Sequence, residues 1–100
     1  MTQHLEQIAR GVLEQYPIKK AAFFGSAARY EHTAQSDIDM LVEFLPNTPG
    51  LEFFGLHVDL QEAFGCHVDL ITWNALESAK PDFRNSVKRE ERIIYEQQGS

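Results

Sequence analysis

The chain has 100 residues, 43% hydrophobic and 24% charged, a composition typical of one small globular domain. Its net charge is −6, with nine basic residues against fifteen acidic ones, which disfavours a long nucleic acid as partner. No apolar run is long enough to span a bilayer, no secretion signal is present, and the single cysteine excludes an internal disulfide or a zinc cluster. We therefore expect one cytoplasmic domain over residues 1–100, with its core at about 18–96.

Apolar periodicity in the first half of the chain predicts helices and strands in alternation. Apolar residues three or four apart indicate an amphipathic helix, and a short, wholly apolar run indicates a buried strand. Pro17 ends the first helix, and Ser26 is suited to cap the next one. In chain order the expected elements are a helix over residues 3–16, a strand at Ala21–Phe24, a short helix from Ser26 to Arg29 or Tyr30, a polar loop at 31–36 and a strand at Ile38–Phe44.

The second half continues the alternation. Proline, asparagine and glycine mark a loop at residues 46–50, and Gly65 fits the position just past a helix end. The expected elements are a helix over 51–64, a strand at Cys66–Thr72, a helical turn at Asn74–Ser78, a helix from Pro81, and either more helix or an edge strand at Arg92–Tyr95. This order predicts an α+β fold of two layers, with a small mixed β-sheet and helices packed on one face.

Three aspartates are placed where a metal ion can bind. Asp37 and Asp39 begin the second strand, and residues two apart on a strand share one face. Neighbouring carboxylates repel each other unless a cation lies between them or one of them takes up a proton, and Mg²⁺ prefers such oxygen ligands. Asp69, on the third strand, can complete a site for two ions about 3.5–4 Å apart.

A glycine-serine turn before the short helix is suited to bind phosphate. Gly25 lets the backbone approach an anion closely, and a helix N-terminus presents unpaired N–H groups to it. The hydroxyl of Ser26 can add a hydrogen bond, and the guanidinium of Arg29 can form a forked contact with phosphate oxygens. The turn and the aspartates together predict a site for a nucleotide with its metal ions.

These motifs resemble those of a known family. Gly25-Ser26, ten further residues and Asp37-Ile38-Asp39 resemble the signature of the DNA polymerase β-like nucleotidyltransferase superfamily. The fuller string over 24–42 is similar to its minimal nucleotidyltransferase (MNT) branch, which keeps a third carboxylate at the position of Asp69. The resemblance covers most of residues 20–96.

The resemblance implies the nucleotidyltransferase fold and a role for each motif residue. Asp37 and Asp39 are expected to bind both Mg²⁺ ions, while Asp69 binds the catalytic ion and helps to activate the acceptor hydroxyl. The residues expected to hold the nucleotide, ATP, are Gly25, Ser26, Arg29 and Ser36.

The resemblance also implies a protein partner. MNT proteins are encoded beside helical HEPN proteins, and the pair acts as antitoxin and RNase toxin. The expected reaction is therefore transfer of AMP from ATP to a tyrosine hydroxyl of such a toxin. One alternative is an antitoxin that neutralises its toxin by stoichiometric binding. Another is transfer to a small-molecule hydroxyl, which the absence of a second substrate-binding domain disfavours.

Several residues near the motifs have simpler interpretations. Asp59 repeats the His-Val-Asp-Leu context of Asp69 but falls in a helical pattern, where we expect it to be exposed. His67 shares the strand face of Asp69 and can approach the site, although a surface position is the simpler expectation. His57 is expected on a helix surface. Arg29 is either a phosphate ligand or one member of a surface ion pair.

Overall fold

The computed structural model describes residues 2–29 and 37–97. The predicted polar loop at 31–36, and with it Ser36, lies outside the described residues. Among the helices in these two ranges, none is long and apolar enough to cross a membrane. The elements, in chain order, are α1 (Thr2–Leu13), β1 (Ile18–Phe24), α2 (Gly25–Ala28), β2 (Ile38–Phe44), α3 (Leu51–Phe64), β3 (Val68–Thr72), α4 (Trp73–Glu77), α5 (Pro81–Glu90) and β4 (Arg92–Glu96).

The strands form one mixed sheet in the order β3-β2-β1-β4. β1 is antiparallel to both β2 and β4, whereas β2 and β3 are parallel and are joined by the crossover helix α3. The predicted α+β class with a small mixed sheet is thereby confirmed. The C-terminal segment forms an edge strand, so that of its two predicted alternatives the strand is the one observed.

The main core lies between the sheet and the pair α1 and α3. Phe23 and Met40, on neighbouring strands, point to this side and are fully buried. Leu56 and Leu60 are the buried residues of α3 and pack into the same core. Gly65 ends α3 in the left-handed conformation, with a φ of 73°, and its N–H donates to the carbonyl of Gln61. The predicted bounds of α3 and of β2 are those observed.

A second, smaller core covers the opposite face of the sheet. Phe24 and Leu41 point to this side and pack with Leu76 of α4 and Val87 of α5. Helices therefore cover both faces, in contrast to the expectation of helices on one face. The motif aspartates lie on this face, at the amino-terminal ends of β2 and β3.

Several predicted boundaries differ from the structure. α1 ends at Leu13 and not at residue 16, so that the helix stops before Pro17. β1 begins at Ile18 because Ile18 and Lys20 pair across the sheet, Lys20 lying opposite Glu43 and Glu96. β3 begins at Val68, two residues later than predicted. The N-cap position of α2 is Phe24, and no side chain caps that helix, so Ser26 lies inside α2 and is not its cap.

Candidate active site

The parallel register of β2 and β3 brings the predicted carboxylates together. Asp39 and Asp69 are partners across the two strands, and one pair earlier Ile38 lies opposite Val68. Asp37 and His67 precede this pair, and the N–H of Ile38 donates to the carbonyl of His67 at 3.1 Å. Because alternate residues on a strand share a face, these three aspartates and His67 project from the face that carries α4 and α5.

The side chains of this cluster converge at its exposed rim. One donor atom each of Asp37, His67 and Asp69 lies within 4.8 Å of the others. The shortest of these contacts joins Nε2 of His67 to Oδ1 of Asp69 at 2.8 Å. The side chain of Asp69 is 54% exposed. Its oxygens are therefore accessible to a ligand from solvent.

Asp39 lies deeper and experiences the negative charge of the whole cluster. Burial raises its pKa to about 6, aided by a hydrogen bond with the carboxyl of Asp69 and by the charges of Asp69 and Asp37, and only partly offset by His67. A divalent cation would relieve this repulsion, because it replaces the shared proton as the counter-charge. Three carboxylates within reach of one another supply the hard oxygen donors that Mg²⁺ prefers, so the residues present fit this ion.

The predicted phosphate turn packs directly against the carboxylates. Gly25 has a φ of 67°, and a Cβ built on it would lie 2.5 Å from Oδ2 of Asp39. Both facts require glycine at this position. Ser26, half-buried in α2, follows it beside the cluster. The structure thus places Gly25 against Asp39, and the role of Gly25 and Ser26 in phosphate binding stays a prediction.

α2 is held in place by a residue from the far end of the chain. Arg92 of β4 donates hydrogen bonds to the carbonyl oxygens of Ala27 and Ala28, at 3.2 and 3.4 Å, and pairs with Glu6 of α1. Arg29, just past α2, is exposed and forms an ion pair with Glu90 at 2.9 Å. The predicted surface ion pair of Arg29 is present, and its alternative role as a phosphate ligand stays a prediction.

A cleft of about 410 Å³ opens over the carboxylates. Asp39, Asp69 and His67 form its polar part, whereas Phe24 and Phe83 belong to its apolar wall, with ring centroids 6.2 Å apart. Phe83 is 46% exposed, so that part of its ring is accessible to a ligand in the cleft. The cleft can therefore bind a ligand that is charged at one end and apolar at the other.

Two residues outside the motifs are less exposed than the sequence predicts. His57 is half-buried on the cleft wall, where its Nε2 contacts the carbonyl oxygen of Val68 at 2.7 Å. Asp59 is also half-buried and accepts a hydrogen bond from the Tyr16 hydroxyl at 2.5 Å, which corrects its predicted exposure. It lies outside the residues that form the cleft, in agreement with the choice of Asp69. No sequence signal marks Phe83, because its place in the cleft depends on how α5 packs.

Known proteins share both the sequence and the fold of this chain. The family described as nucleotidyltransferase domain matches residues 5–95. A protein of Methanocaldococcus jannaschii, named as a protein adenylyltransferase, is 43% identical over 82 residues, which cover 82% of this chain and 80% of the relative.

Two solved structures support the same grouping. A minimal nucleotidyltransferase superimposes with a TM-score of 0.72 at 28% identity, covering 91% of this chain and 93% of that one. The complex of a tri-AMPylated Shewanella oneidensis HEPN toxin with an MNT antitoxin contains a chain that superimposes with a TM-score of 0.66. That likeness covers 97% of this chain and 74% of the other, and at 21% identity it shows the fold.

Proposed function

This chain belongs to the nucleotidyltransferase domain family, and we propose that it is a protein adenylyltransferase that transfers AMP from ATP to a hydroxyl of a partner protein. One observation carries the proposal: the strand register that pairs Asp39 with Asp69, with Asp37 beside them and Gly25 packed on Asp39. This arrangement combines a cation site with a turn whose backbone is open to phosphate.

Each motif residue has a task in this reaction. Asp37, Asp39 and Asp69 would hold two Mg²⁺ ions, which supply positive charge to the triphosphate and to the attacking oxygen. Gly25 and Ser26 would bind the triphosphate, with Arg29 and Ser36 as further ligands. The acceptor oxygen forms a bond to the α-phosphorus, and the bond from that phosphorus to the bridging oxygen breaks, so that pyrophosphate leaves. The carboxylate of Asp69, which is exposed, would accept the proton of the hydroxyl.

A tyrosine of a HEPN-type RNase toxin, encoded by a neighbouring gene, is the acceptor we propose. The chain's relative is named for adenylyl transfer to protein, and a HEPN toxin is the AMPylated partner in one of the similar complexes. The cleft itself favours a phenol, because Phe24 and Phe83 offer an apolar wall to an aromatic ring beside the carboxylates. A serine or threonine hydroxyl would leave this wall uncovered.

Labelled nucleotide tests the proposal. The protein is incubated with α-labelled ATP, Mg²⁺ and the product of the neighbouring gene, in parallel with an Asp37→Asn/Asp39→Asn variant. We expect label on the partner with the wild type alone, and loss of that label when the partner's tyrosines are replaced by phenylalanine. Equal labelling by wild type and variant would contradict the proposed site.

The second candidate function is neutralisation by stoichiometric binding, and the surface of α3 favours it. Leu51, Phe54 and Val58 follow one another on the outer side of this helix and are 78%, 65% and 51% exposed. Solvent-exposed apolar stripes of this kind mark protein contact surfaces. α3 also carries acidic residues and no basic one, which suits a partner whose apolar contact surface is surrounded by lysine and arginine.

Two variants separate the candidates. Asp37→Asn/Asp39→Asn removes two of the carboxylates and keeps the apolar stripe of α3. Phe54→Ser/Val58→Ser removes two residues of the stripe and keeps the carboxylates. If transfer is the function, the carboxylate variant fails to silence the toxin even where it still forms a complex. If binding alone is the function, the carboxylate variant silences the toxin without ATP, and the α3 variant loses the complex in gel filtration.

A further inference from the structure

We propose that His67 is itself a metal ligand of the carboxylate centre, through Nε2, and that this imidazole gives the centre a preference for transition ions such as Co²⁺ or Mn²⁺ over Mg²⁺. The inference rests on the proposed function in one respect, namely that Asp37 and Asp69 hold divalent cations. It adds a nitrogen donor to a set that the motifs define by oxygen alone.

The distances within the cluster match the ligand shell of a single ion. A six-coordinate ion with ligand bonds of about 2.1 Å has neighbouring ligand atoms about 3 Å apart and opposite ones about 4.2 Å apart. Nε2 of His67 lies 2.8 Å from Oδ1 of Asp69, and the full set with Asp37 fits within 4.8 Å. The three donors can therefore share one ion with only small side-chain adjustments.

The strand register holds His67 in this place. Its carbonyl accepts the N–H of Ile38, so that its backbone belongs to the β2–β3 ladder immediately before Val68. Its side chain is 55% exposed, which leaves the ring accessible to an ion from solvent. Its neighbour Asp69 lies in β3, and ligands on such rigid elements keep their spacing better than ligands on loops.

A second histidine nearby shows what a non-ligating imidazole looks like in the same cleft. The ring of His57 lies 6.4 Å from that of His67. Its Nε2 contacts the carbonyl oxygen of Val68 at 2.7 Å, and a carbonyl only accepts, so this nitrogen carries a proton and has no lone pair for a metal. His67 contacts a carboxylate instead, which a metal ion can bridge. His57 is thus a matched control for His67.

The donor set determines which ion is preferred. Imidazole nitrogen is a softer ligand than carboxylate oxygen, and it raises affinity along the series from Mn²⁺ to Co²⁺ and beyond while adding little for Mg²⁺. If His67 only orients Asp69 by a hydrogen bond, its removal should weaken the binding of every divalent ion to a similar extent. The ratio between ions therefore separates a ligand from a positioning residue.

Calorimetric titration of the free protein, without ATP or partner, with Co²⁺ and with Mg²⁺ tests the inference, together with the visible absorption of bound Co²⁺. The variants are His67→Gln, whose amide still donates to Asp69, and His57→Gln. We expect His67→Gln to lower Co²⁺ affinity about tenfold and to shift the Co²⁺ spectrum, with Mg²⁺ affinity changed less than about threefold, and His57→Gln to change neither.

Equal losses for both ions, or an unchanged Co²⁺ spectrum in His67→Gln, would overturn the inference. That outcome leaves the proposed function standing, since Asp37, Asp39 and Asp69 would still bind the ions. A wild-type protein that binds no divalent ion, and gains none when ATP is added, would instead contradict the proposed function itself.

Discussion

Gly25 and Asp39 are packed so closely that a single methyl group on Gly25 would lie 2.5 Å from Oδ2 of Asp39. Asp39 lies in β2, and Gly25 directly follows Phe24, the last residue of β1, which lies opposite Asp39. The glycine of the turn and the central carboxylate therefore constrain each other. A larger residue at Gly25 would therefore displace the Asp39 carboxylate first.

Gly25→Ala is expected to destabilise the fold and to displace Asp39. The left-handed φ of 67° and the short contact together should lower the free energy of unfolding by about 2 kcal/mol. Urea unfolding measures this loss, and metal titration should show weaker Mg²⁺ binding in the fraction that stays folded.

Gly11→Ala is the matched control for that substitution. Gly11 lies in α1, and a Cβ there meets nothing within 4 Å. The variant should gain about 0.5–1 kcal/mol of stability from its higher helix propensity and keep metal binding unchanged. Similar losses in both variants would argue against a special conformation at Gly25.

Asp39→Asn is expected to stabilise the metal-free protein at neutral pH. The raised pKa of Asp39, about 6 against an ordinary 3.8, shows that its charged form is disfavoured in the folded state. Because Asp39 is half-buried and solvent screens part of the repulsion, the gain should be about 1 kcal/mol. It should be present above pH 6 and vanish as the pH falls to 3.8, where the wild-type carboxyl is protonated in both states.

Mg²⁺ should reverse that order. The ion supplies the counter-charge that the wild-type cluster needs, so that Mg²⁺ stabilises the wild type more than Asp39→Asn. Thermal unfolding with a chelator and then with Mg²⁺ compares the two proteins directly. A variant less stable than wild type in the chelator would show that the carboxylates do not repel each other.

Tyr16→Phe should reveal a pH-dependent contribution from the bond between Tyr16 and Asp59. The hydrogen bond to Asp59, with burial as a lesser cause, raises the pKa of Tyr16 from 10.0 to about 12. Since the folded state keeps this proton longer than the unfolded chain, the bond's contribution is complete below pH 10 and is lost as the pH rises through 12. The wild type should exceed Tyr16→Phe by about 1 kcal/mol at pH 8, and the difference should shrink above pH 10. A difference that is constant up to pH 12 would contradict this account.

Arg29→Ala should separate nucleotide binding from stability. The ion pair with Glu90 is at the surface, with the two side chains 45% and 34% exposed, so its loss should change the free energy of unfolding by less than about 1 kcal/mol. If the guanidinium binds phosphate, ATP affinity should fall about tenfold, the value of one charge-assisted hydrogen bond. Glu90→Gln removes the same ion pair but keeps Arg29, and it should leave ATP binding intact. Equal effects of the two substitutions on ATP affinity would assign Arg29 a structural role only.

Much of the fold could be predicted from apolar spacing. α3 and β2 have strong periodic patterns bounded by turn residues, and their predicted and observed limits agree. β1 begins earlier than predicted, because the charged Lys19 and Lys20 are unlike the apolar residues typical of a buried strand. Both lysines interact with an acidic residue of the neighbouring strand, Glu43, which lies opposite Lys20 and forms an ion pair with Lys19. Pairing across strands is not visible in a local pattern.

The helices on the second face could have been inferred from one run of residues. Ala21–Phe24 alternates between both sides of the sheet and is buried throughout, which requires cover on both faces. The convergence of Asp37, Asp39 and Asp69 followed from motif spacing. The place of His67 on the strand face of Asp69 followed as well, whereas the half-buried position of His57 depends on how the side chains of α3 pack against β3.

The hydrogen bonds from Arg92 to the end of α2 also bear on how the protein folds. The turn that begins at Gly25 is synthesised in the first third of the chain, but the residue that holds Ala27 and Ala28 comes more than sixty positions later, in β4. A chain in which β4 has not yet paired with β1 lacks these contacts and also part of the main core, to which Ile94 belongs. The turn at Gly25 should therefore become ordered only when β4 docks, together with the rest of the fold.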